Sequence, residues 1–433
     1  MARTGLAVAA GRIARSAARR RGGGSALPGL VAERVDPDIL THALAGVPQV
    51  VVVTGTNGKT TTTKMLVALL RAHGREVFTN PTGSNFTRGV ISAMLPALDR
   101  QGRMHADLAV LELDEAHALH FVKKVAPTHA LLLNVARDQL DRFAEIDHTA
   151  RLLHSLAAAT TQGVVLNRDD PFVARIADDP DVPPARYFGL DESVLERLAE
   201  LQEADVRFED EAPTPGLGAQ DVLLRPRDER EFELVLGDGS ASGPIVLRQR
   251  GLAAMINATA AVSTARLLLG EAFDPAVAGA ALREVAPPFG RGEVVDAGGR
   301  PLELVLVKNP AGFTVALGTY GATPVTTMVA INDRDADGRD VSWLYDVSFA
   351  SLRENGVALT SGIRAYDMAL RLRYDDVEVG GVEPDLAVAL DRLLADHPDR
   401  PLRVFCTYTA MMTLRRILAD RYTLPEFGED APA

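Results

Sequence analysis

Residues Gln49-Val50-Val51-Val52-Val53 form an unbroken β-branched run that passes without a spacer into Thr54-Gly55-Thr56-Asn57-Gly58-Lys59-Thr60-Thr61. Such a run, ended by a glycine turn, predicts a strand buried on both faces. From Thr61 to His73 the apolar residues Met65, Leu66, Leu69 and Leu70 fall on one helical face. Strand, glycine loop and helix together predict the first unit of a parallel α/β sheet. Amides at the helix N-terminus point at an anion there, and the helix dipole favours it. Lys59 is placed to reach terminal phosphates, and the Thr60 hydroxyl to ligate Mg²⁺. Val53 stands where the strict P-loop pattern has a further glycine, so the loop is a shortened version.

The pattern recurs along the chain. Leu108–Leu113, Ala130–Asn134 and Val164–Asn167 read as strands with helical stretches between them. This predicts an open, doubly wound sheet with ligands at the carboxyl ends of its strands. Residues 190–250 change texture: turns at 213–216 and 237–240 surround alternating strands, which reads as a small β-rich excursion. Pro287-Pro288-Phe289-Gly290-Arg291-Gly292 predicts a boundary, and a second α/β series follows it. The expected organisation is a basic helical segment at 1–45, a central domain at 46–292 and a smaller C-terminal α/β domain at 293–433. At 433 residues the chain is long enough for each domain to bury a core. The net charge of -12 disfavours general nucleic-acid binding. One cysteine, Cys406, excludes an internal disulfide and a thiolate zinc site, and it fits a cytoplasmic, reducing compartment. No run of 18 apolar residues is present, so no membrane span is expected. Six arginines (3, 12, 15, 19, 20 and 21) precede the first acid, Glu33. They read as a surface helix with solvated arginines, or as a basic amphipathic helix at an anionic membrane. The segments Gly22–Ser25 and Pro28-Gly29 are expected to break that helix.

The segment TGTNGKTTT resembles the Mur ligases, which join amino acids to peptidoglycan precursors using ATP. Further matches extend over most of residues 50–295: Asn85 in the second loop, Glu112 as the Mg²⁺ carboxylate, Asn134, Arg137 and Asp138 in N-x-x-R-D-x-x-D, and Asn167-x-Asp169-Asp170-Pro171. The resemblance implies ATP and Mg²⁺ as cofactors. It implies nucleotide contacts from Gly55, Thr56, Asn57, Gly58, Lys59, Thr60, Thr61, Asn257 and Arg291, with Thr60 and Glu112 on the metal. Substrate contacts would come from Asn85, Asn134, Arg137 and Asp138. Two departures stand out. The stretch Glu145–His154 lacks the lysine that family members carboxylate, and Ala254 replaces the first asparagine of G-x-x-N-x-x-N-A. The phosphate loop also begins too early to leave room for a UDP-binding N-terminal domain.

Asp337-Gly338-Arg339-Asp340-Val341-Ser342-Trp343 is similar to the signature of MurT-type members, the ligase subunits of lipid II isoglutaminyl synthase. Leu27-Pro28-Gly29, Lys308-Asn309-Pro310-Ala311-Gly312 and Thr360–Ala365 match as well. That type implies ATP-dependent amidation of the D-glutamate α-carboxylate of lipid II through an acyl phosphate. Ammonia would come from a GatD-type glutaminase subunit in a heterodimer, with the substrate at the inner membrane face. Asp340 would orient the partner's catalytic histidine. Relatives carry a four-cysteine zinc ribbon near 190–250, but no cysteine lies there in this sequence, so no zinc site is expected. Cys406 ends a hydrophobic run without a glycine elbow, which marks it as structural rather than as a glutaminase nucleophile. The rival readings are a folylpolyglutamate- or cyanophycin-type peptide ligase, and a nucleotide-binding scaffold without chemistry.

Overall fold

The computed structural model describes residues 2–21, 26–80, 86–136, 146–191, 215–287, 291–320, 324–396 and 400–424. Asn85, Arg137, Asp138 and the Arg291 side chain lie outside the described part.

The first sheet holds β1 (Gln49–Thr54), β2 (Val77–Thr79), β3 (Leu108–Glu112), β4 (His129–Leu132), β5 (Gly163–Asn167), β6 (Ala185–Leu190), β7 (Val222–Pro226), β8 (Glu231–Leu236) and β9 (Ile245–Val246). Their order is β2-β3-β1-β4-β5-β6-β7-β8-β9. Neighbours from β2 to β7 run parallel, and β7, β8 and β9 pair antiparallel. The described part of the β-rich stretch, residues 215–250, extends the edge of the same sheet. Within β1, Val51 and Val53 face one core, together with Met65, Leu66 and Leu69 of the helix Lys59–Ala72. Val50 and Val52 face the other, with Phe121 and Leu153. Burial on both faces is why the strand carries no polar alternation.

The chain passes from β1 outward to β2 and β3, then crosses to β4 on the other side of β1. That crossing makes the carboxyl ends of β1, β3 and β4 a topological switch point, where side chains from separate strands converge.

The basic N-terminal segment packs into this body. The helix Ala2–Arg21 buries Ala7 and Val8 in the second core layer, beside Ala32, Ile39 and Leu40. Arg12 donates to the carbonyls of Leu95 (2.9 Å) and Leu98 (2.6 Å), and Arg3 to that of Val35 (2.7 Å). These arginines tie the helix down through backbone oxygens. Pro28-Gly29 does not break a helix; it opens the helix Leu27–Val35, where the missing proline N–H costs nothing. Gly29 is needed for close approach, because a Cβ there would lie 2.0 Å from the Arg88 carbonyl oxygen.

The segment Leu252–Ala272, which begins with the long helix Leu252–Leu269, has the length and mean composition of a membrane-crossing helix, although polar residues such as Asn257, Ser263 and Arg266 interrupt it. Its buried residues, Ala254 to Leu269, instead fill the first core.

The second sheet holds β10 (Arg291–Asp296), β11 (Pro301–Leu306), β12 (Thr326–Ala330), β13 (Leu359–Ser361), β14 (Val382–Glu383) and β15 (Leu402–Cys406), in the order β10-β11-β15-β12-β13-β14. All neighbours are parallel except β10 with β11. Arg291 pairs with Val305, so its backbone already belongs to this second sheet.

Candidate functional site

The loop after β1 turns on two glycines in left-handed or otherwise positive-φ conformations, Gly55 (φ 132°) and Gly58 (φ 89°). A side chain at either position would be strained and would collide. A Cβ on Gly55 would lie 2.9 Å from the Asn134 amide nitrogen, and one on Gly58 only 2.4 Å from the Asn257 Oδ1. Asn134 clamps the loop from the end of β4. Its Oδ1 accepts from the Asn57 amide (2.8 Å), its Nδ2 donates to the Asn57 carbonyl (3.0 Å), and its own carbonyl accepts from the Thr56 amide (3.0 Å). Asp170 supports that clamp by accepting the Val135 amide (2.7 Å) while capping the helix Pro171–Ala174. Burial pushes the carboxyls of Asp169 and Asp170 up to about 6.

The helix Lys59–Ala72 opens directly on Gly58, so its first amides have no intrahelical acceptor. On the same turn the Thr61 hydroxyl is buried without a hydrogen-bond partner among the described residues. Orphaned donors around a glycine-lined cradle fit a polyphosphate.

Lys59 is buried. Its Nζ donates to the carbonyls of Gly55 and Thr56 and lies 3.3 Å from the Glu115 carboxylate, itself buried at the start of the helix Glu115–Val122. Sequence reasoning passed over Glu115. Glu112 ends a strand and Glu115 opens the helix that follows, so no periodicity links the two acids, and only the fold brings Glu115 to Lys59.

Thr60 Oγ1 donates to Glu112 Oε1 (2.9 Å). Asn80 fixes Glu112 from the neighbouring strand side by exchanging two 2.9 Å bonds with its backbone. Thr60 and Glu112 thus offer two hard oxygens at one point. Mg²⁺ suits this, because it takes one or two protein ligands and completes its octahedron with phosphate and water.

Of the remaining expected nucleotide contacts, Asn257 faces Gly58, whereas Ala254 on the same helix points into the core.

The acidic loop lies elsewhere, after β12. Asp333 is bound to Arg364 (2.8 Å) and Asp335 to Arg339 (2.8 Å). Asp337 is buried and accepts the Thr409 amide (2.7 Å). Asp340 is partly exposed and accepts from the Ser342 amide (2.8 Å). Hydrogen bonds from Ser342 hold its carboxyl below the usual range. Sequence could not rank these acids; their partners do. The neighbouring surface is aromatic. Tyr345 packs edge-on against Tyr374 (6.1 Å), and Tyr366, Leu370 and Tyr374 stand exposed on one face of the helix Ala365–Tyr374. Cys406, at the end of β15, is fully buried, and desolvation drives its thiol far up.

Comparison with known proteins gives a consistent result. Residues 53–214 match the Mur ligase middle domain, and residues 306–411 match the MurT ligase C-terminal domain. The lipid II isoglutaminyl synthase (glutamine-hydrolyzing) subunit MurT of Streptococcus pneumoniae is 32% identical, over 97% of this chain and 98% of that protein. The subunit of the same name from Staphylococcus aureus is 28% identical, over 85% and 87%. Among solved structures, a pseudomurein peptide ligase type C from Methanothermus fervidus superposes with a TM-score of 0.65 at 19% identity, covering 89% of this chain and 80% of that one.

Proposed function

Because the chain belongs to the Mur ligase family, in its MurT type, we propose that it is the ATP-dependent ligase subunit of a two-chain enzyme of cell-wall synthesis. Its substrate is the D-glutamate α-carboxylate of the lipid II stem peptide, met at the cytoplasmic face of the membrane. The product is D-isoglutamine.

A free carboxylate does not react with ammonia. In the first step its oxygen attacks the γ-phosphorus of ATP, forming an acyl phosphate and releasing ADP. Lys59, the loop amides and Thr61 hold the charge that spreads over the transferring group. Thr60 and Glu112 would hold Mg²⁺, which would supply neutralisation of phosphate charge. Asn257, whose Oδ1 lies against Gly58, would contact the nucleotide. Ammonia then attacks the acyl carbon, phosphate leaves, and a proton is lost to solvent.

One observation carries the division of labour. Residues suited to phosphate and Mg²⁺ lie together in this chain, while its single cysteine is sealed in a core. The thiolate that a glutaminase needs must come from a partner. Residues 46–292 are read as the ATP-binding unit and 293–433 as the unit that contacts the glutaminase. Asp340 would face the partner's histidine and hold its tautomer. The exposed Tyr345, Tyr366, Leu370 and Tyr374 beside it support a docking surface, since tyrosine is enriched at such sites.

The test is amidation of purified lipid II, read by mass spectrometry, with ATP and either ammonium or glutamine plus the candidate glutaminase. Product from ammonium alone, and from glutamine only with the second chain, is expected. Addition of an amino acid instead of an amide would overturn the reading.

A further inference from the structure

The motif Lys308-Asn309-Pro310-Ala311-Gly312 has no role in the mechanism above, yet it touches the phosphate loop. Asn309 follows β11 and is fully buried. Its Oδ1 accepts the Gly312 amide (2.7 Å), closing the start of the helix Pro310–Tyr320. Its Nδ2 donates to Asn57 Oδ1 (3.2 Å). The Asn57 backbone is already held on both sides by Asn134, so the side chain is what reaches the second domain. Gly312 permits the approach: a Cβ there would lie 2.9 Å from Asn309 Oδ1 and 3.8 Å from Asn57 Oδ1.

The far end of the same helix makes a second contact. A Cβ on Gly251 would lie 2.5 Å from Thr319. Gly251 (φ 95°) opens the helix Leu252–Leu269, which carries Asn257 against Gly58. The C-terminal domain therefore touches the phosphate loop through Asn309, at the start of this helix, and the helix that carries Asn257 through Thr319, near its end.

We propose that Asn309 is a positioning residue for phosphoryl transfer, which couples the placement of the C-terminal domain to the shape of the phosphate loop through Asn57. This rests on the ligase reading above. An amide serves both ends at once: oxygen to the helix amide, nitrogen to Asn57. A carboxylate at 309 would keep the first bond and set two acceptors face to face in the second.

The test is a double-mutant cycle with Asn57→Ala, Asn309→Asp and the pair. Each protein is first checked for an unchanged circular dichroism spectrum and melting curve, since Asn309→Asp preserves the helix start. The cycle is read as kcat/KM for ATP in the ammonia-driven reaction of the complex, and as Kd for MgATP by calorimetry. Each single variant should lose about tenfold, and the double variant no more than the worse single one, because both remove the same bond. Losses that multiply in both readouts would overturn the proposal. If the wild-type complex fails to amidate lipid II, the amidation reading falls, and the calorimetric cycle still decides the role of Asn309.

Discussion

At the scale of single residues, charge placement governs the site. Lys59 lies buried among two carbonyls and the Glu115 carboxylate, so its ammonium is held where a phosphate can claim it. Lys59→Ala should lower ammonia-driven amidation by at least ~100-fold while the chain still folds, since preorganised charge is worth several kcal/mol to a transition state. Turnover near wild type at saturating ATP would remove Lys59 from the site. Asp340→Asn preserves size and removes charge. Glutamine-dependent amidation should fall by about 10²-fold or more, while the ammonium-driven rate persists, because the phosphate loop sits on the other sheet. Running both assays on one preparation of the assembled complex makes the comparison internal. Equal loss in the two assays would assign Asp340 a structural role.

At the scale of elements, backbone conformation and burial decide. Gly58→Ala would place a Cβ in the left-handed region at about 1–2 kcal/mol of strain and push it into Asn257. The expected result is a raised KM for ATP, with weaker MgATP binding by calorimetry. An unchanged affinity would show that the loop tolerates a side chain there. In β4, His129 is buried, and desolvation, with the Arg186 charge beside it, holds its imidazole down to about 4. The unfolded chain therefore takes up a proton between pH 6.5 and 4 that the fold refuses. Stability from the neutral ring is present above about pH 6.5 and is lost as pH falls toward 4. Asp169 and Asp170, pushed up to about 6, act in the opposite sense, but equally in a variant lacking only the imidazole. His129→Asn should therefore show a melting temperature that falls less steeply from pH 6.5 to 4.5 than wild type. Parallel curves would exclude this role for the ring.

At the scale of the whole molecule, the proposed function divides the chemistry between two sheets. The carboxyl end of β1 presents the phosphate loop, and the loop after β12 presents Asp340. The isolated chain should release no glutamate from glutamine, yet amidate lipid II slowly with ammonium salts, as followed by mass spectrometry and by coupled ADP detection. Glutamate release by the chain alone would mean that the nucleophile lies within it.

Much of this was legible from local signals. A valine run before a glycine loop can only be a strand sealed on both faces, so β1, the phosphate loop and its helix followed directly from residues 49–73. The same logic marked β3, β4 and β5 and placed Glu112 and Asn134 at their ends. Convergence was not legible. Nothing in spacing says that β3 and β4 flank β1, which brings Glu112 to Thr60 and Asn134 to Asn57. Nor could periodicity show that Asn257 meets Gly58, because most of the helix Leu252–Leu269 is apolar and buried. The acids near Asp340 were equivalent in sequence, and only packing gave Asp333 to Arg364 and buried Asp337. Sequence determines local geometry through residue chemistry acting over a few positions. The contact from Asn309 to Asn57 spans 252 positions, and only the packing of two cores brings such groups within hydrogen-bond reach.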